Sequence, residues 1–380
     1  MSNLQSYKIN KAIHPGKTLK ETLEVLNISQ KELSNKTGLT VKHISNIVNE
    51  KASVTPETAL KFENILGISA DFWNSLEKNY QATLAKIEHK EHILIESKNI
   101  EEYRETYKEL VDKELIEKLI FNSVNLQNIT ENLLKYFKVF SFSSVLGTEE
   151  VVFRRYNNST VNYKTVEAVI RAGEKKAKRV ETKPFNEEKL KNSLEDIKKL
   201  SKGKYSEYMP KIDKILKDVG VVLVAIPGFK KTGIQGISKW LSNDKVMIIL
   251  KTDGQVKGTS QYEDILFFNL FHEIGHILLH SKKKTFLDLE DRVDSKEERE
   301  ADQFASDVLI PGFKKEKDLQ EYKKGNSISA EKAVTGLSKR YEISEAIIAG
   351  QLSYLFREQP SIYKILSKYK NKVNYRNYLD

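Results

Sequence analysis

No cysteine occurs anywhere in the 380 residues. That excludes a disulfide framework, a thiolate-ligated zinc ribbon, an iron–sulfur cluster and a cysteine nucleophile. Proline is scarce, seven in all, and none falls between 57 and 183, so long helices are permitted there. No apolar run approaches the ~18 residues that a membrane helix needs. The opening Met-Ser-Asn-Leu-Gln-Ser lacks the charged-then-apolar pattern of a signal peptide. A soluble cytoplasmic protein with no membrane role is expected. Internal repeats and low-complexity tracts are absent too. Histidine is rare, seven residues, yet three of them lie within nine positions.

What is present is enough apolar residue for ordinary cores, 39% of the chain, and a length suited to two or three domains. The net charge is +10, which favours an acidic partner such as nucleic acid without identifying one. Most of the excess lies in 160–220 and 311–380. Residues 1–80 carry ten Lys against eight Asp and Glu, so composition argues little for DNA binding there.

The first eighty residues read as a compact helical unit. Ser29 opens a capping box with Glu32, and Gly38 suits the end of that short helix. Thr40 is an N-cap for a second helix over Val41 to about Asn49, and Pro56 starts another that stops at Gly67. Residues 80–135 are charged and helical in pattern. Residues 136–205 are more irregular, and the basic stretch 171–179 within them reads as a solvated helix face. Beyond 205 the character changes. An amphipathic helix over Tyr208 to Asp218 precedes a β-branched run, Val221 to Ile226, that reads as a buried strand. Gly233–Leu241 and Lys245–Leu250 are two further strand candidates. Helices follow from Gln261 to about His280 and from about Ser295 to Leu309, and the remaining C-terminal residues are basic and helical in pattern.

The strongest chemical signal is His272-Glu273-Ile274-Gly275-His276, an HExxH pattern in an apolar helix. Two imidazoles four residues apart share a helix face and can bind one Zn²⁺. Glu273 beside them is placed to act as general base toward water and to return the proton to a leaving amine. A catalytic zinc needs a third protein ligand. His280 lies a further turn along. Glu298 and Asp302, four apart on the acidic helix 297–302, offer a carboxylate ligand and a supporting hydrogen bond to a ligand histidine. Glu300 is the second choice, pointing about 200° from Glu298 on an ideal helix.

His272–His280, Glu298–Ala305 and Leu309–Pro311, with Gly220–Pro227 and Gly236–Leu241 before them, make 205–312 resemble the ImmA/IrrE family of zinc metallo-endopeptidases. The resemblance implies a helix, a small sheet, a zinc helix and a glutamate-bearing helix, gluzincin-like in its ligands. It implies that His272, His276 and Glu298 hold Zn²⁺ and that Glu273 is the catalytic base. Members act on DNA-binding repressors.

Residues 29–49 have the layout of a helix-turn-helix. Gln30 can bond a phosphate at the first helix's N-terminus, and Thr40, Lys42, His43, Ser45 and Asn46 carry donors and acceptors for base edges in the major groove. The alternative is a small bundle for protein contacts. His14–Gly16, Leu33, Gly38, Asn49–Lys51, Pro56–Leu60, Leu66–Gly67 and Phe72–Trp73 make 12–80 resemble the HigA-like branch of the Cro/C1-type helix-turn-helix family. That resemblance implies operator binding on double-stranded DNA as a homodimer, and a HigB-like toxin as a partner of the antitoxin kind.

The expected fold is mainly α with a small sheet, an α+β protein. Its parts are a helix-turn-helix domain over 1–80, a mostly helical connecting region over 81–204, a zincin-like metallopeptidase domain over 205–312 and a C-terminal helical subdomain over 313–380. The expected function is a DNA-binding transcription regulator whose zinc-dependent hydrolase domain cleaves a repressor or partner protein. The alternative is a non-catalytic antitoxin or repressor whose zinc domain is a structural or sensory module.

Overall fold

The computed structural model describes residues 11–145, 161–226, 228–251, 262–280, 285–289, 295–312, 327–355, 360–371 and 373. The stretches 252–260, 282–284 and 313–326 lie outside the described residues. The chain is mainly helical with one small sheet, as the sequence leads one to expect. It divides into two compact units, Met1–Asn99 and Ile100–Asp380. The stretch 81–204, expected as a connector, is split between them.

Unit 1 is all helical: α1 (Pro15–Val25), α2 (Gln30–Thr37), α3 (Val41–Val48), α4 (Pro56–Leu66) and α5 (Ala70–Glu96). Side-chain caps set where each helix starts. His14 Nδ1, Ser29, Thr40, Thr55 and Ser69 each accept a hydrogen bond from an amide in the first turn that no helical carbonyl can reach. Gly38 ends α2 at φ 69°, a left-handed conformation that costs glycine nothing and turns the chain into α3. Between the helices lie Leu19, Leu33, Ile44, Ile47, Phe62 and Trp73, all fully buried. Each such side chain contributes roughly 1.5–3 kcal/mol of burial. Leu60 lies off this stripe, beside buried Ala59, and is 57% exposed.

Unit 2 begins with α6 (Arg104–Asp112), α7 (Leu126–Phe137), α8 (Tyr163–Ala177), α9 (Glu187–Leu200) and α10 (Tyr205–Asp218). Then come β1 (Val221–Ile226), β2 (Ile234–Ser242), β3 (Lys245–Lys251), α11 (Glu263–Leu279), β4 (Phe286–Leu289) and α12 (Lys296–Leu309). α13 (Ser327–Tyr341), α14 (Glu345–Leu355) and α15 (Pro360–Leu366) follow. The sheet order is β1-β3-β2-β4. β1 pairs parallel to β3, while β2 runs antiparallel to both β3 and β4. β4, missed by the sequence reading, is a four-residue edge strand.

Alternation in the strands divides the core between two helical layers. Val222, Val224, Met247 and Ile249 face α8 through Val166, Val169 and Ile170. Val221, Leu223, Val246, Ile248 and Leu250 face α10 and α11. The run Val221–Ile226 is therefore apolar throughout because both faces are covered. The basic stretch 171–179 is only partly solvated: Ala172, Gly173, Glu174 and Ala177 are buried. Arg171 there bonds Glu167 and Glu174 at 2.8 and 2.9 Å. α13 and α14 contribute Val334, Leu337, Ile347 and Leu352 to the same core as α11, so this helix pair is a packing element of unit 2.

Candidate metal centre and nucleic-acid interface

α11 is apolar on nearly every side and lies between the sheet and α12, with α14 packed on it as well. His272 and His276 share its α12-facing side, where they are 0% and 1% exposed. Two polar rings in such a place need partners. α12 supplies them. Ser295 caps it by accepting from the Glu298 amide at 3.1 Å, which places Glu298 in the first turn, where the helix dipole favours an anion. The helices meet closely because residue 275 is glycine. A Cβ there would fall 3.2 Å from the Ala301 Cα. This approach lets the short Glu298 side chain reach both histidines.

The resulting triangle is tight. His272 Nε2 and His276 Nε2 lie 3.0 Å apart, and Glu298 oxygens lie 3.2 and 3.4 Å from them. A tetrahedral ion with bonds of ~2.0–2.1 Å has ligand atoms about 3.3–3.4 Å apart, so the donor set fits a divalent metal such as zinc. Among the described residues, His272, His276 and Glu298 are the group of metal-capable side chains that converge in this way. Glu300 does not join them. It faces His280, with 3.1 Å between its Oε2 and His280 Nε2, and His280 Nδ1 lies 3.0 Å from His276 Nδ1.

The far side of the His272 ring is also engaged. Its Nδ1 lies 2.9 Å from Asp302 Oδ1. An N–H donated there leaves the Nε2 lone pair directed into the triangle. Burial pushes the His276 imidazole below its usual range, so the ring is neutral at pH 7. In the metal-free chain burial alone would raise Glu298, but in acid, where the rings take up protons, hydrogen bonds and charge from His272 and His276 outweigh it and hold the carboxyl at about 2. Neutral imidazole and anionic carboxylate are the forms that coordinate a cation. Glu273 is fully buried next to His272. Its carboxylate occupies space left by Gly236 on β2, where an added Cβ would fall 2.1 Å from Glu273 Oε1. Phe286 of β4 stacks on His276 at 4.4 Å and 12°.

In unit 1 the candidate DNA readers lie on the surface of α2 and α3. Ile44 and Ile47 turn α3's other side inward. Lys42, Ser45, Asn46 and Asn49 therefore form one outward stripe at helical spacing, with Lys42 and Asn49 exposed and Ser45 and Asn46 half-buried. His43 and Gln30 are half-buried. Thr40 is exposed and accepts from the His43 amide at 3.1 Å. Ser45 accepts from the Asn49 side chain at 3.1 Å. Val41, at the start of α3, is 45% exposed.

Residues 19–73 match the helix-turn-helix family model. The chain is 31% identical over 72 residues to an uncharacterized HTH-type transcriptional regulator, YddM, of Escherichia coli (strain K12). That alignment spans 19% of this chain and 77% of the relative. The chain belongs to the helix-turn-helix family. The chain also matches the IrrE N-terminal-like domain over 267–353, from inside α11 through most of α14 and so beyond the expected boundary at 312. A solved structure similar to the chain is an addiction module antidote protein of a HigA family from Coxiella burnetii. It has 28% identity, covers 24% of this chain and 92% of its own, and has a TM-score of 0.20. The chain thus matches a helix-turn-helix model within unit 1 and an IrrE N-terminal-like domain model within unit 2. Among its described residues no helix is long and apolar enough to cross a membrane.

Three features of the candidate metal centre escape the sequence reading: Gly236, Phe286 and the link from His280 to Glu300. For Gly236 a signal existed. A glycine inside a strand marks close approach of another group. Nothing local marks Phe286, because the four-residue strand that carries it is too short to show a period.

Proposed function

We propose that the chain is a cytoplasmic transcription regulator that reads an operator through unit 1 and cleaves a protein through a zinc centre in unit 2. The observation that carries the metallopeptidase half is the convergence of His272, His276 and Glu298 beside the buried carboxylate of Glu273. In this reading His272, His276 and Glu298 hold Zn²⁺, and Asp302 orients His272. Bound zinc would supply Lewis-acid polarisation of the scissile carbonyl and of water. Glu273 takes the proton of the attacking water and passes it to the leaving amine. Gly236 lets that carboxylate sit against the sheet, and the apolar walls of α11 exclude bulk water. The substrate class is a protein such as a DNA-binding repressor, by the resemblance to the ImmA/IrrE family.

On the DNA side, α3 enters the major groove. Gln30 bonds a phosphate, and Thr40, Lys42, His43, Ser45 and Asn46 face base edges or the adjoining backbone. A homodimer would read two half-sites. A HigB-like toxin partner rests on the HigA-like motifs alone, and co-purification from the native operon tests it.

Glu273→Gln decides between catalysis and its alternative. Wild-type chain loaded with zinc should cleave a repressor encoded beside it, or itself. The variant should keep its zinc and lose at least about 100-fold in rate. A second reading is favoured by the complete burial of Glu273 and His272, since a site sealed from a protein substrate would hold zinc for structure or sensing alone. Zinc retained by both proteins with cleavage by neither would establish the structural or sensory module.

A further inference from the structure

We infer that β4 is an autoinhibitory strap over the metal centre, and that the buried arrangement described above is its closed state. The inference rests on the peptidase reading of that centre. A peptidase must admit an extended chain, yet His272, Glu273 and His276 are at most 1% exposed. Part of the surround has to move, and β4 is lightly held. It is four residues long and pairs with β2 alone at the sheet edge, whereas β3 is flanked on both sides. Its ladder is irregular between Ile234 and Gly236. A short edge strand with an interrupted ladder opens at lower cost than a central one.

Those four residues nevertheless run past both working groups. Phe286 lays its ring over His276 at 4.4 Å and 12°, and lies 5.2 Å from the His280 ring. Asp288 is the register partner of Gly236, whose missing Cβ leaves room for the Glu273 carboxylate. Ser238 biases the strap toward opening. It lies two residues from Gly236 and so on the same face of β2, and its register partner is Phe286. Its hydroxyl is buried and has no hydrogen-bond partner among the described residues. Such a group destabilises the closed state, and water satisfies it once the cover lifts. Displacing Phe286 hydrates Ser238 and uncovers the His276 ring in one movement. A protein substrate meets the centre only in that open state.

The test uses the full chain, without and with zinc. In the metal-free protein, hydrogen exchange should show the amides of 286–289 opening at least about 100-fold more often than those of β3. Zinc-loaded chain is then mixed with excess chromophoric chelator and the release rate is followed. Phe286→Ala should speed release by about 10-fold. Ser238→Ala deletes the unpartnered hydroxyl and should slow release by roughly 5-fold, whereas loss of packing alone would speed it in both variants. The absence of native cysteine permits a lock. Ile237 and Leu287 are register partners, about 4.5–5.5 Å apart at Cα in such a pair and within disulfide reach. Ile237 faces α8, away from the metal centre. Ile237→Cys with Leu287→Cys, once oxidised, should slow release by at least about 10-fold and stop cleavage, and reductant should restore both. An oxidised pair that releases zinc at the wild-type rate would overturn the strap. So would β4 amides that exchange no faster than those of β3. Zinc uptake with no cleavage, even by Phe286→Ala, would sink the peptidase reading alone, and exchange and release would still decide whether β4 opens.

Discussion

The two units put polar chemistry in opposite places. Unit 1 keeps its core apolar and presents Lys42, Ser45 and Asn46 outward from α3, so its candidate readers need no burial and no partner within the fold. Unit 2 buries two histidines and two glutamates in the middle of an apolar layer. A buried polar group is tolerated only when others satisfy it. The surface site is thus assembled by local rules, chiefly caps and a turn. The buried site is assembled by long-range packing, because its parts come from β2, α11, β4 and α12.

The contrast is sharpest in what single changes should do. Ile47→Ala removes a fully buried side chain beneath the reading face. It should cost about 2–5 kcal/mol in unit 1 and abolish operator binding while zinc uptake stays intact. A thermal melt with a parallel gel shift and zinc assay would check this. Loss of zinc uptake would break the separation.

Gly236→Ala should act only on unit 2. The added methyl must displace the Glu273 carboxylate, and a shift of about 1 Å in a catalytic group costs on the order of 100-fold in rate. Zinc affinity should stay within about twofold, since none of the three converging ligand atoms is touched. Steady-state cleavage beside chelator competition measures both.

Asn46→Ala should weaken operator binding by about 1–3 kcal/mol and relax sequence preference at one position. Lys42→Ala should weaken all DNA alike and lower the salt slope by roughly 1. A titration series over salt separates them, and an unchanged footprint for both would remove α3 from the reading role.

Acid distinguishes the units again, in the metal-free chain. His276 sits below its ordinary 6.5 in the fold, so the unfolded chain takes up the proton first and stability falls as pH drops below that value. Glu298, at about 2 against an ordinary 4.5, adds stability above 4.5 that is lost as pH falls toward 2. In unit 1 the carboxylates lowered by lysine partners, Glu57, which is exposed, and Glu32, which is half-exposed, are worth little. The melting midpoint of unit 2 should therefore drop from pH 7 to 4 more than that of unit 1. A replacement of both groups, His276→Gln with Glu298→Gln, should flatten the difference.

The same contrast explains what could be read from sequence. Ser29, Gly38, Thr40, Pro56 and Gly67 are local signals, and the helices of unit 1 begin and end where they stand. Val221–Ile226 is legible as a buried strand for the same reason. The i,i+4 spacing of His272 and His276 places both on one helix face, and Glu298 and Asp302 reach them as that spacing suggests. Other parts depend on elements remote in sequence. That 163–177 forms the second layer under the sheet is hidden because its buried positions include Gly173 and Glu174, which look polar or small. Whether Glu300 meets the metal face or His280 depends on the closeness of α11 and α12 at Gly275, and no periodicity reports an interhelical distance.

The most direct measurement is the metal content of the purified full chain by elemental analysis, for wild type and His276→Ala. The account predicts close to one zinc per wild-type chain and a fall below about a tenth of that in the variant, with the helical content of both unchanged. Wild type without zinc after equilibration in excess metal, or a variant that keeps a full equivalent, would contradict it.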